Sequence, residues 1–109
     1  MNELSPPAAD AVLGALGDPT RRGLLEAVAS DGPLTATELA GPAGISRQAV
    51  SKHLAVLEQA GLVRAERVGR EARFALVPGS LDAATAWLDR VGTAWDGRLA
   101  RLRRHLAGD

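Results

Sequence analysis

One short stretch of the sequence combines four side chains that can hydrogen bond to the edges of DNA bases. They are Arg47, Gln48, Ser51 and Lys52. Arginine can donate a bidentate pair to guanine, glutamine can pair with adenine, and serine can pair with either base. The four residues recur at spacings of three and four, which places them on one face of a helix. The pattern therefore predicts a helix whose polar face contacts DNA.

The helix that carries this face is expected to run from Arg47 to Ala60. Its opposite side has an apolar stripe formed by Val50, Leu54 and Leu57, which is the spacing of a buried helix face. Ser46 precedes the helix as an N-cap, and the free amides behind it can hold a phosphate. We therefore include Ser46 among the DNA-binding residues. His53 is included as well, with a structural hydrogen bond as its open alternative.

A shorter helix precedes this one, as a helix-turn-helix requires. Residues 35–38, Thr-Ala-Thr-Glu, match a capping box, and the helix is expected over residues 36–41. Gly44 permits the backbone angle of the turn that follows. Because Pro42 disfavours a helical conformation at the residue before it, we expect this helix to be short or to end irregularly.

A β-hairpin is expected after the second of these helices, with strands at 62–68 and 71–77 and a turn at Gly69-Arg70. It carries four arginines, which are Arg64, Arg67, Arg70 and Arg73. Arg67 and Arg70 are the residues we expect to reach a phosphate or the minor groove. Exposed strands also favour charged residues because charge prevents edge pairing, and that alternative stays open for this hairpin.

The last predicted helix, residues 80–107 with Ser80 as its cap, has more apolar surface than one small domain can bury. Its apolar stripe consists of Leu81, Ala84, Leu88, Val91, Trp95, Leu99, Leu102 and Leu106. We predict that this is a dimerisation helix. The expected interface residues are Val12, Leu16, Leu88, Val91, Trp95, Leu99 and Leu102. A ligand pocket lined by the two tryptophans is the open alternative.

Two further helices are predicted near the start of the chain, at about residues 9–16 and 19–30. Asp18 is the N-cap of the second, and Pro19 is its first residue. The complete pattern predicts a mainly α fold with a small β-hairpin. We expect about five helices and a two-stranded wing, which form a single winged helix-turn-helix domain over residues 1–109.

The composition argues against several classes of protein. Cysteine is absent, which removes disulfides, thiolate metal sites and cysteine nucleophiles. We find no paired acid and base, no phosphate loop and no activated nucleophile, so we expect neither an enzyme nor a cofactor. No apolar run approaches the roughly 18 residues of a membrane span, and residues 1–7 lack the pattern of a signal peptide. A cytoplasmic protein without membrane association is therefore expected.

The formal net charge is zero, but the charges are unevenly distributed. Residues 1–60 carry four basic and seven acidic side chains, whereas residues 61–109 carry nine basic and six acidic ones. A zero total therefore does not argue against a nucleic-acid partner.

Several segments together resemble the ArsR/SmtB family of winged-helix repressors. They are residues 18–22 (Asp-Pro-Thr-Arg-Arg), 39–40 (Leu-Ala), 44–46 (Gly-Ile-Ser), 50–57 (Val-Ser-Lys-His-Leu-Ala-Val-Leu) and 60–63 (Ala-Gly-Leu-Val). The resemblance covers nearly the whole chain. It implies a homodimer joined by the first and last helices, and a repressor that a signal releases from its operator. It also implies that Arg47, Gln48, Ser51 and Lys52 contact DNA.

The same resemblance bears on metal binding. The family's best-known metal site uses cysteines, and its positions fall here at about Thr35 and Thr37, so that site is absent. A second family site uses histidine and carboxylates of the last helix. This chain offers Asp82, Asp89, Asp96 and His105 there. Because rows of aspartate are usually solvated or paired with arginine, we predict no metal site.

The partners expected from the sequence are double-stranded DNA and a second copy of the chain. Two recognition helices in such a dimer would lie about 34–36 Å apart, which predicts an inverted-repeat operator. Two alternatives stay open: a winged-helix module that binds protein instead of DNA, and a metal-responsive repressor that uses the last helix. A small-molecule effector of unknown identity also stays open.

Overall fold

The computed structural model describes residues 7–107, which form five helices and three strands. In chain order these are α1 (Pro7–Ala15), α2 (Pro19–Asp31), β1 (Leu34–Thr35), α3 (Ala36–Ala43), α4 (Arg47–Gln59), β2 (Val63–Val68), β3 (Glu71–Leu76) and α5 (Asp82–Leu106). The predicted winged helix-turn-helix fold is confirmed. The segment in which we expect no signal peptide lies outside the described residues, apart from Pro7.

Side-chain caps explain where α2 and α3 begin. Asp18 accepts hydrogen bonds from the backbone amides of Thr20 (2.8 Å) and Arg21 (3.1 Å). At α3, the Thr35 hydroxyl accepts from the Glu38 amide at 3.1 Å, and the Glu38 carboxylate accepts from the Thr35 amide at 2.9 Å. The predicted N-cap and the predicted capping box are therefore both confirmed.

Helix α3 is short, with eight residues, as we expect from Pro42, but its predicted end at residue 41 is wrong because the helix continues through the proline to Ala43. A proline removes one backbone donor from a helix, but both ends of α3 are held independently of it. The capping box fixes the start. At the end, Gly44 adopts a left-handed φ of 69°, and its amide donates to the carbonyls of Ala40 and Gly41. A short helix secured at both ends tolerates the missing bond.

The sheet has three strands, in the order β1-β3-β2, rather than the two that the sequence predicts. The additional strand, β1, pairs with β3 through Leu34 opposite Phe74 and Thr35 opposite Arg73. The predicted hairpin is present, and the pairing of Val68 with Glu71 leaves Gly69 and Arg70 as its two-residue turn. The wing is thus attached to the segment that enters α3.

An aliphatic core joins the helices to the base of the wing. Its fully buried large side chains are Val28, Val50, Leu54, Leu57, Leu62 and Val63. Val12 is also in this core and is 3% exposed within one chain. Its predicted place on an interface between copies is therefore corrected: Val12 faces inward, where α1 packs against α4 and α5.

The start of α5 also differs from the prediction. The helix begins at Asp82, Leu81 occupies the cap position, and no side chain caps it. Ser80 belongs to the preceding turn, in which its amide donates to the Val77 carbonyl. Its hydroxyl is buried without a hydrogen-bond partner among the described residues. The predicted cap at Ser80 is therefore wrong.

Beyond its first turns, α5 extends away from the core. Ala84 is its buried residue, and the described chain measures 68 Å along its longest axis against 29 and 22 Å along the others. Within residues 7–107, no helix combines the length and the apolar character needed to cross a membrane.

Candidate nucleic-acid interface

Helix α4 is held by its inner face and leaves its outer face free. Val50, Leu54 and Leu57 are 0% exposed on the inner side. At the N-terminus, the Ser46 hydroxyl accepts a hydrogen bond from the Ala49 amide at 3.1 Å, so Ser46 is the N-cap that the sequence predicts. These contacts fix the rotation of the helix about its axis.

The outer face presents the side chains that the sequence singles out. Arg47, Gln48, Ser51 and Lys52 are all exposed. Within residues 7–107, neither Arg47 nor Lys52 is within ion-pair distance of a carboxylate. Their positive charges are therefore available to an external partner.

A groove of about 330 Å³ lies between α4 and the wing. Arg47 and Ser51 line it from α4, and Arg67 and Arg70 line it from the wing. The structure thus brings residues of two separate predictions around one groove. Three guanidinium groups around one groove favour an anionic ligand with a repeating charge, such as a nucleic-acid backbone.

The four arginines of the wing form two groups, one engaged by glutamates and one not. Arg64 lies 3.3 Å from Glu66, and Arg73 lies 3.1 Å from Glu71 and 3.9 Å from Glu38. In the described part of the chain, Arg67 and Arg70 form no such pairs. For Arg64 and Arg73, this favours the alternative in which the charges of the strands have a structural role. The guanidinium groups of Arg67 and Arg70 remain available to an external partner.

Arg73 also affects the electrostatics at the start of α3. Hydrogen bonds from the amide and hydroxyl of Thr35 hold the pKa of Glu38 below its ordinary value, and the charge of Arg73 acts in the same direction. Partial desolvation opposes these effects. Glu38 is consequently ionised at neutral pH, and it links the wing to α3.

The structure places His53 differently from the rest of the predicted group. It is half-buried, and its Nδ1 lies 3.5 Å from Nη1 of Arg21. The same arginine donates from Nε to the Ala15 carbonyl at 2.6 Å and lies 3.9 Å from the Asp18 carboxylate. These contacts tie α4 to the junction of α1 and α2, which favours the structural alternative for His53.

Two residues of the groove escape the sequence reasoning. Thr37 is exposed at the start of α3, and Glu71 opens β3; both line the groove with the arginines. Recognising Thr37 would have required the knowledge that the start of α3 faces the wing. That arrangement depends on β1, whose two residues leave no periodic signal.

The apolar stripe of α5 is largely uncovered. Leu88, Val91, Trp95 and Leu102 are each about half exposed, at 52%, 48%, 56% and 53%. Leu16 and Leu99, the other predicted interface residues besides Val12, are half-buried. No group of three or more acidic or histidine side chains in residues 7–107 comes close enough together to hold a metal ion.

Comparisons with known proteins agree with this geometry. Residues 16–66 match the model of a helix-turn-helix domain family. The HTH-type transcriptional regulator Rv2034 of Mycobacterium tuberculosis is 44% identical over 79 residues, which is 72% of this chain and 73% of that protein. The transcriptional repressor SdpR of Bacillus subtilis is 32% identical over 77 residues, covering 71% and 84% respectively.

A solved structure extends the similarity to nearly the whole fold. An ArsR-like transcriptional regulator from Rhodococcus sp. RHA1 superposes with a TM-score of 0.73 at 36% identity. The superposition covers 89% of this chain and 91% of that one. The similarity therefore includes the helix-turn-helix, the wing and much of the terminal helix.

Proposed function

This chain belongs to the ArsR family of winged helix-turn-helix transcription regulators, and on that basis we propose that it is a homodimeric repressor that binds an inverted-repeat operator. The relatives support regulation of transcription through a helix-turn-helix DNA-binding domain. Our proposal adds the residues that contact DNA, the dimer and the sign of regulation. As a regulator of the chromosome, it would act in the cytoplasm.

The observation that carries the proposal is the cationic groove between α4 and the wing. With α4 in the major groove, Arg47 and Gln48 lie at its N-terminal end, the part that reaches base edges in helix-turn-helix proteins. Arg67 and Arg70 then lie on the hairpin, where they reach the phosphate backbone or the adjacent minor groove. We therefore assign the recognition of bases to α4. We assign the affinity that does not depend on DNA sequence to the wing.

The remaining polar residues of α4 support this division. Ser51 lines the same groove, and Lys52 extends the exposed face by one position. The N-terminus of α4 at Ser46 is exposed, and the unpaired amides of a helix N-terminus favour a phosphate. We assign Ser46 and Lys52 to backbone contacts that hold α4 in register.

The dimer accounts for the uncovered stripe of α5. A half-exposed tryptophan and three half-exposed aliphatic residues on one helix are typical of an interface core. A two-fold axis would bring the same stripe of each copy together. It would also set the two α4 helices about one turn of DNA apart, near 34–36 Å.

Repression is the most direct consequence of such an assembly. The proposal assigns two surfaces, one to DNA and one to a second copy of the chain, and neither of them recruits polymerase. A protein of this kind acts by occupying the operator. The name of SdpR as a repressor is consistent with this assignment.

The test compares two variants on two kinds of DNA. Binding of the dimer to duplexes from its own upstream region is measured as a function of salt, alongside a random duplex of equal length. Arg47→Ala should lose about 1–3 kcal/mol on the operator with relaxed sequence choice. Arg70→Ala should weaken both duplexes alike and reduce the salt slope by about 1.

Two outcomes would overturn the assignment. Equal affinity of the unmodified protein for operator and random duplex would exclude sequence-specific recognition. Identical behaviour of Arg47→Ala and Arg70→Ala on both duplexes would show that base and phosphate contacts are not divided between α4 and the wing.

A further inference from the structure

A second groove, of about 380 Å³, lies on another side of the molecule, between α2 and α3. Its walls are mostly apolar and consist of Leu24, Ala27, Leu34, Leu39, Pro42 and Ala43. None of these residues belongs to the predicted DNA-binding set or to the predicted dimer interface. Its volume falls in the range of small-molecule sites.

Two carboxylates line this groove, those of Asp31 and Glu38, and no basic residue is among the described residues that form the lining. The Glu38 carboxylate already accepts a hydrogen bond from the Thr35 amide and lies 3.9 Å from the Arg73 guanidinium. Asp31 forms no ion pair within residues 7–107. It is also the last residue of α2, where the carbonyl ends of the helix add negative charge. The C-terminal end of α2 therefore favours a cation in the groove.

Two residues of the groove are poorly suited to the helix that contains them. Gly23 lies inside α2, where glycine lowers helix propensity, and a Cβ placed on it would meet no atom within 4 Å. Asp31 adds a negative charge at the negative end of the same helix. Residues that weaken their own element often serve function, and here both weak positions open onto one groove.

We propose that the groove between α2 and α3 binds a small apolar cation, such as an alkyl or alicyclic ammonium ion, and that its occupancy lowers affinity for the operator. The charged group would lie at Asp31, and the hydrocarbon would lie along Gly23 and Ala27. The groove follows α2 from Thr20 to Asp31, and these eleven steps along the helix correspond to about 16 Å at the rise of an α-helix. The second half of the proposal rests on the proposed function.

The packing of α3 connects the groove to the DNA-binding surface. One side of α3 forms a wall of the groove, and the helix also packs against α4. The residue that caps α3 is part of β1, which pairs with the wing. A ligand that separates α2 from α3 would therefore shift both the helix and the wing that contact DNA.

The test uses n-octyltrimethylammonium chloride below its micelle concentration, with sodium octanoate as the probe of opposite charge. Titration calorimetry measures binding, and amide shifts of the 15N-labelled protein locate it. We expect saturable binding of the cation, amide shifts that are largest in α2, β1 and α3 and smaller in α4 and the wing, and no binding of octanoate. Asp31→Asn should weaken binding about fivefold, the effect of one partly exposed charge pair.

Blocking the groove provides the stricter variant. Gly23→Leu should abolish binding because its side chain enters the open space, while Gly14→Leu, the same change at an exposed position of α1, should leave binding unchanged. Unaltered binding to Gly23→Leu, or equal binding of octanoate, would overturn the site. Operator affinity that is unchanged at saturating cation would overturn its regulatory role. The titration does not require DNA, so failure of the proposed function would be seen separately as absence of operator binding.

Discussion

The outer face of α4 and the apolar stripe of α5 are both exposed, but they expose opposite chemistry. On α4, the charges of Arg47 and Lys52 have no ion-pair partner within residues 7–107, and they lie above an inner face that is fully buried. On α5, Leu88 and Trp95 present apolar surface that is about half exposed. One surface is polar and rigidly supported, and the other is apolar and projects from the core.

The difference indicates what each surface needs in order to function. The α4 face is complete in one chain, because its own core and cap hold it in place. The α5 stripe is left uncovered in one chain, and exposed apolar patches of this kind mark interaction surfaces. In the proposed dimer a second copy covers it. We therefore expect substitutions behind α4 to act on folding, and substitutions on α5 to act on assembly.

The largest expected effect comes from the core behind α4. Leu54→Ala should lower the free energy of unfolding by about 3 kcal/mol, because it leaves a cavity at a fully buried site. Denaturant unfolding at two protein concentrations measures it. Leu102→Ala on α5 should instead have an effect that depends on protein concentration. A smaller loss for Leu54→Ala than for Leu102→Ala at every concentration would contradict the comparison.

The proposed dimer should be nearly as sensitive to substitutions on α5 as the fold is to substitutions in the core. The double variant Leu88→Glu with Trp95→Glu should weaken the dimer roughly a hundredfold, because it forces charges into the centre of an apolar interface. Sedimentation equilibrium measures this directly. Arg90→Glu introduces the same charge on the opposite face of α5 and serves as the control. A double variant that stays dimeric at micromolar concentration would place the interface elsewhere.

Two serines of α4, the N-cap Ser46 and Ser51 inside the helix, permit a finer comparison. Ser46→Ala removes the N-cap bond to Ala49 and should cost about 1 kcal/mol of stability. Ser51→Ala removes an exposed hydroxyl of the groove and should leave the unfolding midpoint unchanged while weakening operator binding. Thermal unfolding and DNA titration of both variants separate the two roles. Loss of stability in Ser51→Ala would assign that hydroxyl to the fold.

The smallest expected effect is a dependence on acid. Hydrogen bonds from the backbone amides, led by that of Arg21, hold the pKa of Asp18 below its ordinary value of 3.8, and the pKa of Glu38 is held below 4.5. A lowered pKa means that the folded chain binds fewer protons than the unfolded chain. The stabilisation is therefore complete above these values and is lost as the pH falls through the lowered pKa.

The pH dependence has a simple check. The unfolding midpoint should decrease once the pH is lowered below about 4.5. In Asp18→Asn this decrease should be less steep. A variant whose midpoint follows the same curve as the unmodified protein would show that the cap of α2 does not titrate with folding.

Much of the fold could be predicted because local signals decide it. The cap at Asp18, the capping box at Thr35 and the stripe of Val50, Leu54 and Leu57 each depend on residues within one turn or one helix. The same holds for the face that carries Arg47 and Gln48. These features need no knowledge of what packs against them.

Some of the errors occur where contacts across the chain decide the structure. Strand β1 forms because Leu34 pairs with Phe74. A strand of two residues has no periodic sequence pattern from which this pairing could be predicted. The error at Ser80 is a local one: this residue belongs to a turn in which its amide donates to the Val77 carbonyl, and the helix begins two residues later at Asp82. Arg73 pairs with Glu38 as well as with its near neighbour Glu71, and the contact with Glu38 joins distant segments of the chain. Arg70 forms no ion pair within residues 7–107.

The junction between β1 and α3 constrains how this protein can change its length. Thr35 is both the last residue of a strand and the cap of a helix, so no linker separates the sheet from the helix-turn-helix. One residue inserted there would shift the strand register or destroy the cap. The tip at Gly69-Arg70 belongs only to the turn of the hairpin, and such tips accept insertions. Natural or engineered variants can therefore lengthen the wing, while its base remains at a fixed distance from α4.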